Sequence, residues 1–306
     1  MSKIQQQCYT RAKRGLFRQS EGYDTTARSP GLSDSFIKDR LHPFCFYHPS
    51  RIMQAKRVPA EEFPRAQTVV RFRHHSAQYM LIGQTIYVES DFTGQRSTFF
   101  SHNFVLTPPD NFSPAMLNRL NFLTSSDWSE LPELDELPFF GPESGLEADK
   151  GVDSSGPLPF DESKLRQLAY AVLEATTSSK KVYVVLPGLD WTIPVLMWLY
   201  DRLPKAALDI LGFTTYSREP INLRYLHLVF MEKGTMIPND VRLEQDYVFD
   251  FDSGYFSANL FAVSEEGLKT QIDYYSTHFD DNLEPEGEPK LQKNGLMKRL
   301  KRLLGF

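Results

Sequence analysis

Residues 181–220 read KVYVVLPGLDWTIPVLMWLYDRLPKAALDILGFTTYSREP, and this stretch decides the fold. Val182 to Leu186 is a short β-branched and aromatic run stopped by Pro187-Gly188, the pattern of a buried strand ending at the carboxyl edge of a sheet. Asp190 then stands where a helix N-cap is expected, because its carboxylate can accept the first free helix N–H groups. Ile193, Leu196, Met197 and Tyr200 follow at helical spacing and predict one apolar face against the sheet. Pro194 is tolerated in the first turn, which has no intrahelical donor to lose. Pro204 ends the helix, and Leu208 to Tyr216 lead into a second strand. Strand, helix and strand in this order predict an α/β domain with a mostly parallel sheet.

Working outward, Asp161 is placed to cap a helix reaching Thr176, with Leu165, Leu168, Ala169 and Val172 on one face. Tyr225–Met231 and Tyr247–Phe251 read as two more strands, and 257–279 as a last helix. The α/β domain is therefore expected over 161–279. The first part of the chain reads differently. Ile4–Tyr9 predicts a strand, with Gln5, Gln6 and Gln7 an unusual polar run for a central position. Arg11–Gly15 is a basic turn and Leu16-Phe17-Arg18 starts a return strand. A loop is expected over Gly22–Leu32, with Pro30-Gly31 favouring a type II turn. Ser33 or Asp34 can cap a short helix through Arg40. His42–Ser50 is a proline-bracketed aromatic stretch. Thr68–Phe72, Tyr79–Glu89 and Phe99–Leu106 alternate like strands, with Gly83 a bend or bulge. These elements predict an antiparallel α+β domain over 1–123.

The stretch 124–160 mixes acids, Pro and Gly without periodicity and reads as a linker that need not fold. Between Ser125 and Pro157 nine acids stand against Lys150 alone. Residues 1–75 instead carry fourteen Lys or Arg and six Asp or Glu, within a chain of 306 residues and net charge −5. A basic first domain fits nucleic acid or another anionic partner, and more simply a solvated basic face. No apolar run approaches the roughly 20 residues that span a bilayer, and the N-terminus lacks a signal-peptide core. The plain expectation is a cytoplasmic protein. Two cysteines, Cys8 and Cys45, make neither a disulfide framework nor a complete cysteine zinc site.

After an acidic spacer from residue 280, the chain closes with GLMKRLKRLLGF, residues 295–306. Leu296, Leu300, Leu303 and Leu304 share one helical face, and Lys298, Arg299, Lys301 and Arg302 line the others. That is the composition of a short amphipathic helix for an anionic membrane surface or a partner. A frayed tail, or a helix docked on its own protein, fits as well.

Strong catalytic motifs are missing. G-x-x-x-x-G-K-[ST], G-x-S-x-G and H-E-x-x-H do not occur. His74 and His75 are strand neighbours and point to opposite faces, so they do not chelate one ion. Asp250 and Asp252 place two carboxylates near a strand end, either a magnesium pair or solvated acids. Cys8 has no base placed beside it by sequence. The polar candidates are Arg28 with the Ser29-Pro30-Gly31 turn, His102-Asn103, and Thr214-Thr215-Tyr216 with Arg218. Each is open to a packing or turn-forming role. No catalytic residue, metal ligand or cofactor is expected.

VYVVLPG, the aromatic helix and the run Phe213-Thr214-Thr215-Tyr216-Ser217-Arg218-Glu219-Pro220 resemble the middle domain of the bacterial GTPase-associated proteins. The Gln-Gln strand, the glycine-led loop and the Ser-Pro-Gly-Leu turn resemble that family's N-terminal domain of the second type, as does the run Ser101-His102-Asn103. Gln7-Cys8-Tyr9 departs from the paired aromatics usual there. The resemblance implies a non-catalytic adaptor or regulator whose partner is a separately encoded GTPase in a bacterial conflict system. The alternative is a nucleic-acid-binding or hydrolytic effector that uses the basic first domain, with His102 or the Asp250/Asp252 pair doing chemistry.

Overall fold

The computed structural model describes residues 3–107, 112–124, 133–138, 157–235, 245–257 and 264–278. The first half of the chain is built on five longer strands: β1 (Lys3–Ala12), β2 (Gly22–Arg28), β3 (Ala66–His74), β4 (Ala77–Val88) and β5 (Thr98–Leu106). All of their mutual pairings are antiparallel. A two-residue strand, β6 (Leu137–Pro138), pairs with Lys3 and Ile4 at the start of β1. The second half supplies β7 (Val182–Val185), β8 (Phe213–Ser217), β9 (Leu228–Met231) and β10 (Tyr247–Asp250), which pair in parallel, and β11 (Tyr255–Phe256), which turns back antiparallel on β10. The antiparallel and parallel sheets are one. The order β11-β10-β7-β9-β8-β3-β4-β5-β1-β2 runs unbroken, and β8 meets β3 through Thr68–Thr214 and Val69–Phe213.

Helices α3 (Glu162–Thr176), α4 (Thr192–Tyr200), α5 (Lys205–Leu208) and α6 (Glu265–His278) cover one face. Their core contains Leu168, Val172, Leu196 and Leu199 with Val69, Ile82 and Phe104 of the first half and Val184, Phe230 and Phe249 of the second. The opposite face is covered from the first half. There, α1 (Asp34–Phe36) and the tight helical turns of 37–44 pack Phe36, Ile37 and Leu41 on Val70, Leu81 and Val105, and the same core continues to Tyr183, Val185 and Val229. Alternating strand residues thus feed two cores, and each core spans both halves. A Val or Leu fully buried this way contributes about 1.5–3 kcal/mol.

Local chemistry explains where the elements start and where they depart from expectation. Asp161 caps α3, its Oδ1 accepting from the N–H groups of Ser163 (2.7 Å) and Lys164 (3.2 Å). Ser33 caps α1, accepting from Phe36 N. Asp190 does not cap α4. A 3-10 turn over Leu189–Trp191 holds it one turn early, and the helix begins at Thr192. Its buried face is Thr192, Val195, Leu196 and Leu199, while Ile193, Met197 and Tyr200 lie half-buried beside it. The glycine-led loop is strand β2. The turn before it, rather than a return strand, carries Leu16–Arg18, because the Asp24 carboxylate accepts from Phe17 N and Arg18 N, both at 2.7 Å, and Leu16 N donates to Thr25 O.

Two glycines answer to close approach. Ser29–Leu32 closes by a hydrogen bond from Leu32 N to Ser29 O, yet Gly31 lacks the left-handed φ of a type II turn. Its N–H donates to Gln5 Oε1, and a Cβ there would lie 2.5 Å from that oxygen. Gly83 sits in regular register opposite Asn103 with no bulge, and a Cβ would overlap Asn103 Oδ1. Within the acidic stretch, 133–138 run along the β1 and β2 edge, where Leu134 N donates to Arg28 O. Residues 125–132 and 139–156 of that stretch and the amphipathic tail at 295–306 lie outside the described residues. Among the described residues, no helix is long and apolar enough to cross a membrane.

Candidate functional site

The run from Thr214 to Arg218 brings its polar groups to the first half of the chain. Thr214 Oγ1 accepts from Thr68 Oγ1 at 3.1 Å, beside the backbone pairing of the same two residues. One residue on, where the β3–β8 ladder ends, Thr215 Oγ1 accepts from Gln67 N at 2.9 Å and donates to Arg65 O at 3.4 Å. Tyr216 is 1% exposed; its hydroxyl donates to His48 O and its ring packs tilted on Tyr47 at 5.6 Å. Arg218 donates from Nη1 to Pro49 O at 3.0 Å and pairs with Glu219. These contacts from Thr214, Thr215, Tyr216 and Arg218 make 214–218 a seam between the halves.

The N-terminal candidates fall into a second set of contacts, buried at Ser29, His102 and Asn103, half-buried at Arg28 and exposed at Gly31, that also accounts for the three glutamines. Gln5 Nε2 donates to Glu136 Oε1 (2.7 Å) while its Oε1 receives Gly31 N. Ser29 is fully buried and exchanges bonds with the Gln6 backbone; its hydroxyl accepts from Gln6 N at 2.8 Å. Arg28 closes the turn, reaching Leu32 O at 2.9 Å and the Asp34 carboxylate at 2.5 Å. His102 is fully buried, and its Nδ1 accepts from Leu123 N at 3.0 Å. In a neutral ring Nε2 therefore carries the proton and donates to Gln6 Oε1, also at 3.0 Å. Burial pushes the His102 pKa down to about 4, so the ring is neutral near pH 7. Asn103 donates to Gln7 Oε1 (2.6 Å) and Cys45 Sγ (3.2 Å), and Gln7 Nε2 passes the chain on to Thr25 Oγ1 and thence His42.

The other candidates are placed as follows. Cys8 and Cys45 are both buried; desolvation raises the Cys8 thiol and pushes Cys45 up to about 12. Asp250 Oδ1 accepts from Asp252 N and Ser253 N in a turn, and Asp252 pairs with Lys233 at 2.7 Å. His75 has a left-handed φ of 52° at the β3–β4 turn, with its ring 4.2 Å from that of His74. Among the described residues, no group of three or more His, Cys, Asp or Glu is placed to hold a metal.

A cleft of about 720 Å³ opens beside the seam, between the first half at Arg65, Gln67 and Gln84 and the second at Asp190, Thr192 and Thr215. It lies past the carboxyl end of β7, where ligands gather in parallel sheets. Of the sequence candidates only Thr215 lines it. Gln84 and Thr192 were hidden because an isolated Gln in a strand and a Thr opening a helix carry no recognisable motif.

Comparison with known proteins follows this division of the chain. Residues 3–139 match the family model described as GTPase-associated protein 1, N-terminal domain type 2. Residues 149–253 match that described as GTPase-associated protein 1, middle domain. Together the two cover well over half of the chain, in the order that the resemblance of its motifs implies. No curated protein matches it. The β3–β8 seam is thus the place where the first matched domain meets the second.

Proposed function

The chain belongs to the GTPase-associated protein 1 family, and from that premise we propose that it is a non-catalytic adaptor or regulator for a separately encoded GTPase in a bacterial conflict system. The observation that carries this reading is the use made of the polar residues. Thr214, Thr215, Tyr216 and Arg218 join two domains, and His102 and Asn103 sit in a buried network. A general base must reach substrate and hold a pKa near the working pH, whereas His102 is fully buried and shifted well below neutrality. Two domains sharing one sheet and two cores present a single surface to a partner, which suits a scaffold. The tail at 295–306 serves, in this reading, as a second contact to the partner or to an anionic membrane surface.

Affinity capture from the native host tests the proposal, with full-length chain beside chain truncated after Pro289. A GTPase held by both places its contact in the folded domains, and one held only by full-length chain assigns the contact to the tail. Recovery of nucleic acid without any GTPase, lost steeply as salt rises, overturns the adaptor reading in favour of a nucleic-acid effector.

A further inference from the structure

We infer that the basic segment 295–306 docks, in the free chain, on an aromatic patch of the same chain at the starts of α3 and α4. The inference goes beyond the adaptor reading: it concerns the chain before it meets a partner, and it holds whichever partner later takes the segment. The patch lies around the carboxyl ends of β7 and β10. Trp191, in the turn before α4, is 36% exposed, and its ring meets that of Phe160 at 5.8 Å. Phe160, just before the Asp161 cap of α3, meets Phe251 at 4.8 Å, and Phe251 meets Phe256 of β11 at 5.5 Å. The three Phe rings are half-buried against the main core, so the row is a ledge of that core which surfaces at Trp191. Leu189, also exposed, stands two residues earlier. An open Trp at the end of a contiguous apolar row marks a contact site.

Charge identifies what covers it. Asp161, Glu162, Asp190, Asp250 and Asp252 each stand one or two residues along the chain from a ring of the row. The cations beside them are fewer: Lys164 over the Phe256 ring at 4.6 Å, Arg166 paired with Glu162, and Lys233 paired with Asp252. Asp190 is exposed and makes no ion pair among the described residues. The segment 295–306 brings Lys298, Arg299, Lys301 and Arg302, no acid, and four leucines at the spacing of one helical face. Leucines flanked by cations fit an aromatic row flanked by acids. The first half of the chain repels the same segment, since residues 1–75 carry fourteen Lys or Arg against six acids.

The connection is long enough. Gln271 of α6 stands against Tyr170 of α3. From Tyr170 back to Phe160 is about 15 Å along the helix, and from Gln271 on to His278 about 10 Å. With axes about 10 Å apart, the end of α6 lies no more than about 35 Å from the patch. Residues 279–294 reach about 50 Å when extended. Such a tether holds the segment at an effective concentration of about millimolar, which offsets the weak affinity of so short a helix.

Photo-cross-linking of the full-length chain, with no partner or lipid present, tests the docking. Chain carrying Leu300→benzoylphenylalanine is irradiated as an equal mixture of isotopically light and heavy protein, and the linked peptides are read by mass spectrometry. The expected links join residue 300 to 158–162, 189–191 or 251–256 of the same chain. Removing a central aromatic anchor costs about tenfold in affinity, so the yield should fall by about that factor in Trp191→Ala. Asp190→Lys and rising salt should lower it more modestly. Both positions are exposed, and should Trp191→Ala fail to fold, Asp190→Lys decides. Links between light and heavy chains, links confined to other parts of the fold, no link at all, or a yield indifferent to the deciding substitution would each overturn the proposal.

Discussion

Thr215 Oγ1 accepts the backbone N–H of Gln67 at 2.9 Å, one residue beyond the last paired rung between β3 and β8. A side chain of one domain thereby continues the ladder of the other where the backbones part. Thr215→Val keeps the shape and leaves Gln67 N without its acceptor, at an expected cost of about 1–3 kcal/mol. Tyr216→Phe removes the hydroxyl with its bond to His48 O and its interaction with Glu232, and is expected to cost about 0.5–1.5 kcal/mol. Urea unfolding of the full chain reads both.

His102 makes the fold sensitive to acid in a defined window. Its folded pKa, about 4, lies below the ordinary 6.5 because burial disfavours the imidazolium. Above pH 6.5 the ring is neutral in both states and contributes no slope. Between 6.5 and 4 the unfolded chain takes up a proton that the folded chain refuses, so stability falls as pH falls, by on the order of 3 kcal/mol over the window. Below 4 the loss levels off. His227, driven down to about 3 by burial and by Lys181, adds a loss of the same sign that extends lower. Stability measured against pH should be flatter between 6.5 and 4 in His102→Gln than in the wild type.

Gly83 faces Asn103 so closely that a methyl group has no room. Gly83→Ala must displace the Asn103 amide and with it the bond to Gln7 Oε1. A loss of about 1–3 kcal/mol is expected, from overpacking and a disturbed buried network. A thermal scan suffices, and a Tm equal to the wild type's would show that the network yields freely.

Cys8 and Cys45 are buried thiols held above their ordinary pKa by desolvation, so neither presents a thiolate near pH 7. The native chain should react with a thiol reagent at the slow rate of global opening, and both cysteines at once in urea. Rapid labelling of one cysteine in the native state would place it at a surface instead.

Most of the longer strands were legible because alternation and Pro-Gly punctuation are local signals, but β2 read as a loop and Leu16–Arg18 as a return strand. The Asp161 cap and the buried face of α3 were legible for the same reason. What stayed hidden was long-range. Nothing local in AQTVV or FTTYS says that β3 and β8 pair across 146 residues, as the Thr68–Thr214 bond shows. The same blindness applied to the glutamines, whose partners are a histidine, an asparagine and two turns far along the chain. Asp190 misled for a different reason: a capping residue type followed by an apolar run does not reveal an intervening 3-10 turn. The cleft could not be read at all, since its walls come from residues separated by more than a hundred positions.

Hydrogen exchange across the full-length chain tests the seam most directly. If 213–218 join the two domains, the amides of 67–69 and 213–215 should exchange as slowly as those of β4 and β9, which lie inside the sheet on either side. Exchange of 67–69 and 213–215 at the rate of exposed strand edges, while β4 and β9 stay protected, would contradict a continuous sheet and return Thr214, Thr215 and Tyr216 to the role of a ligand surface.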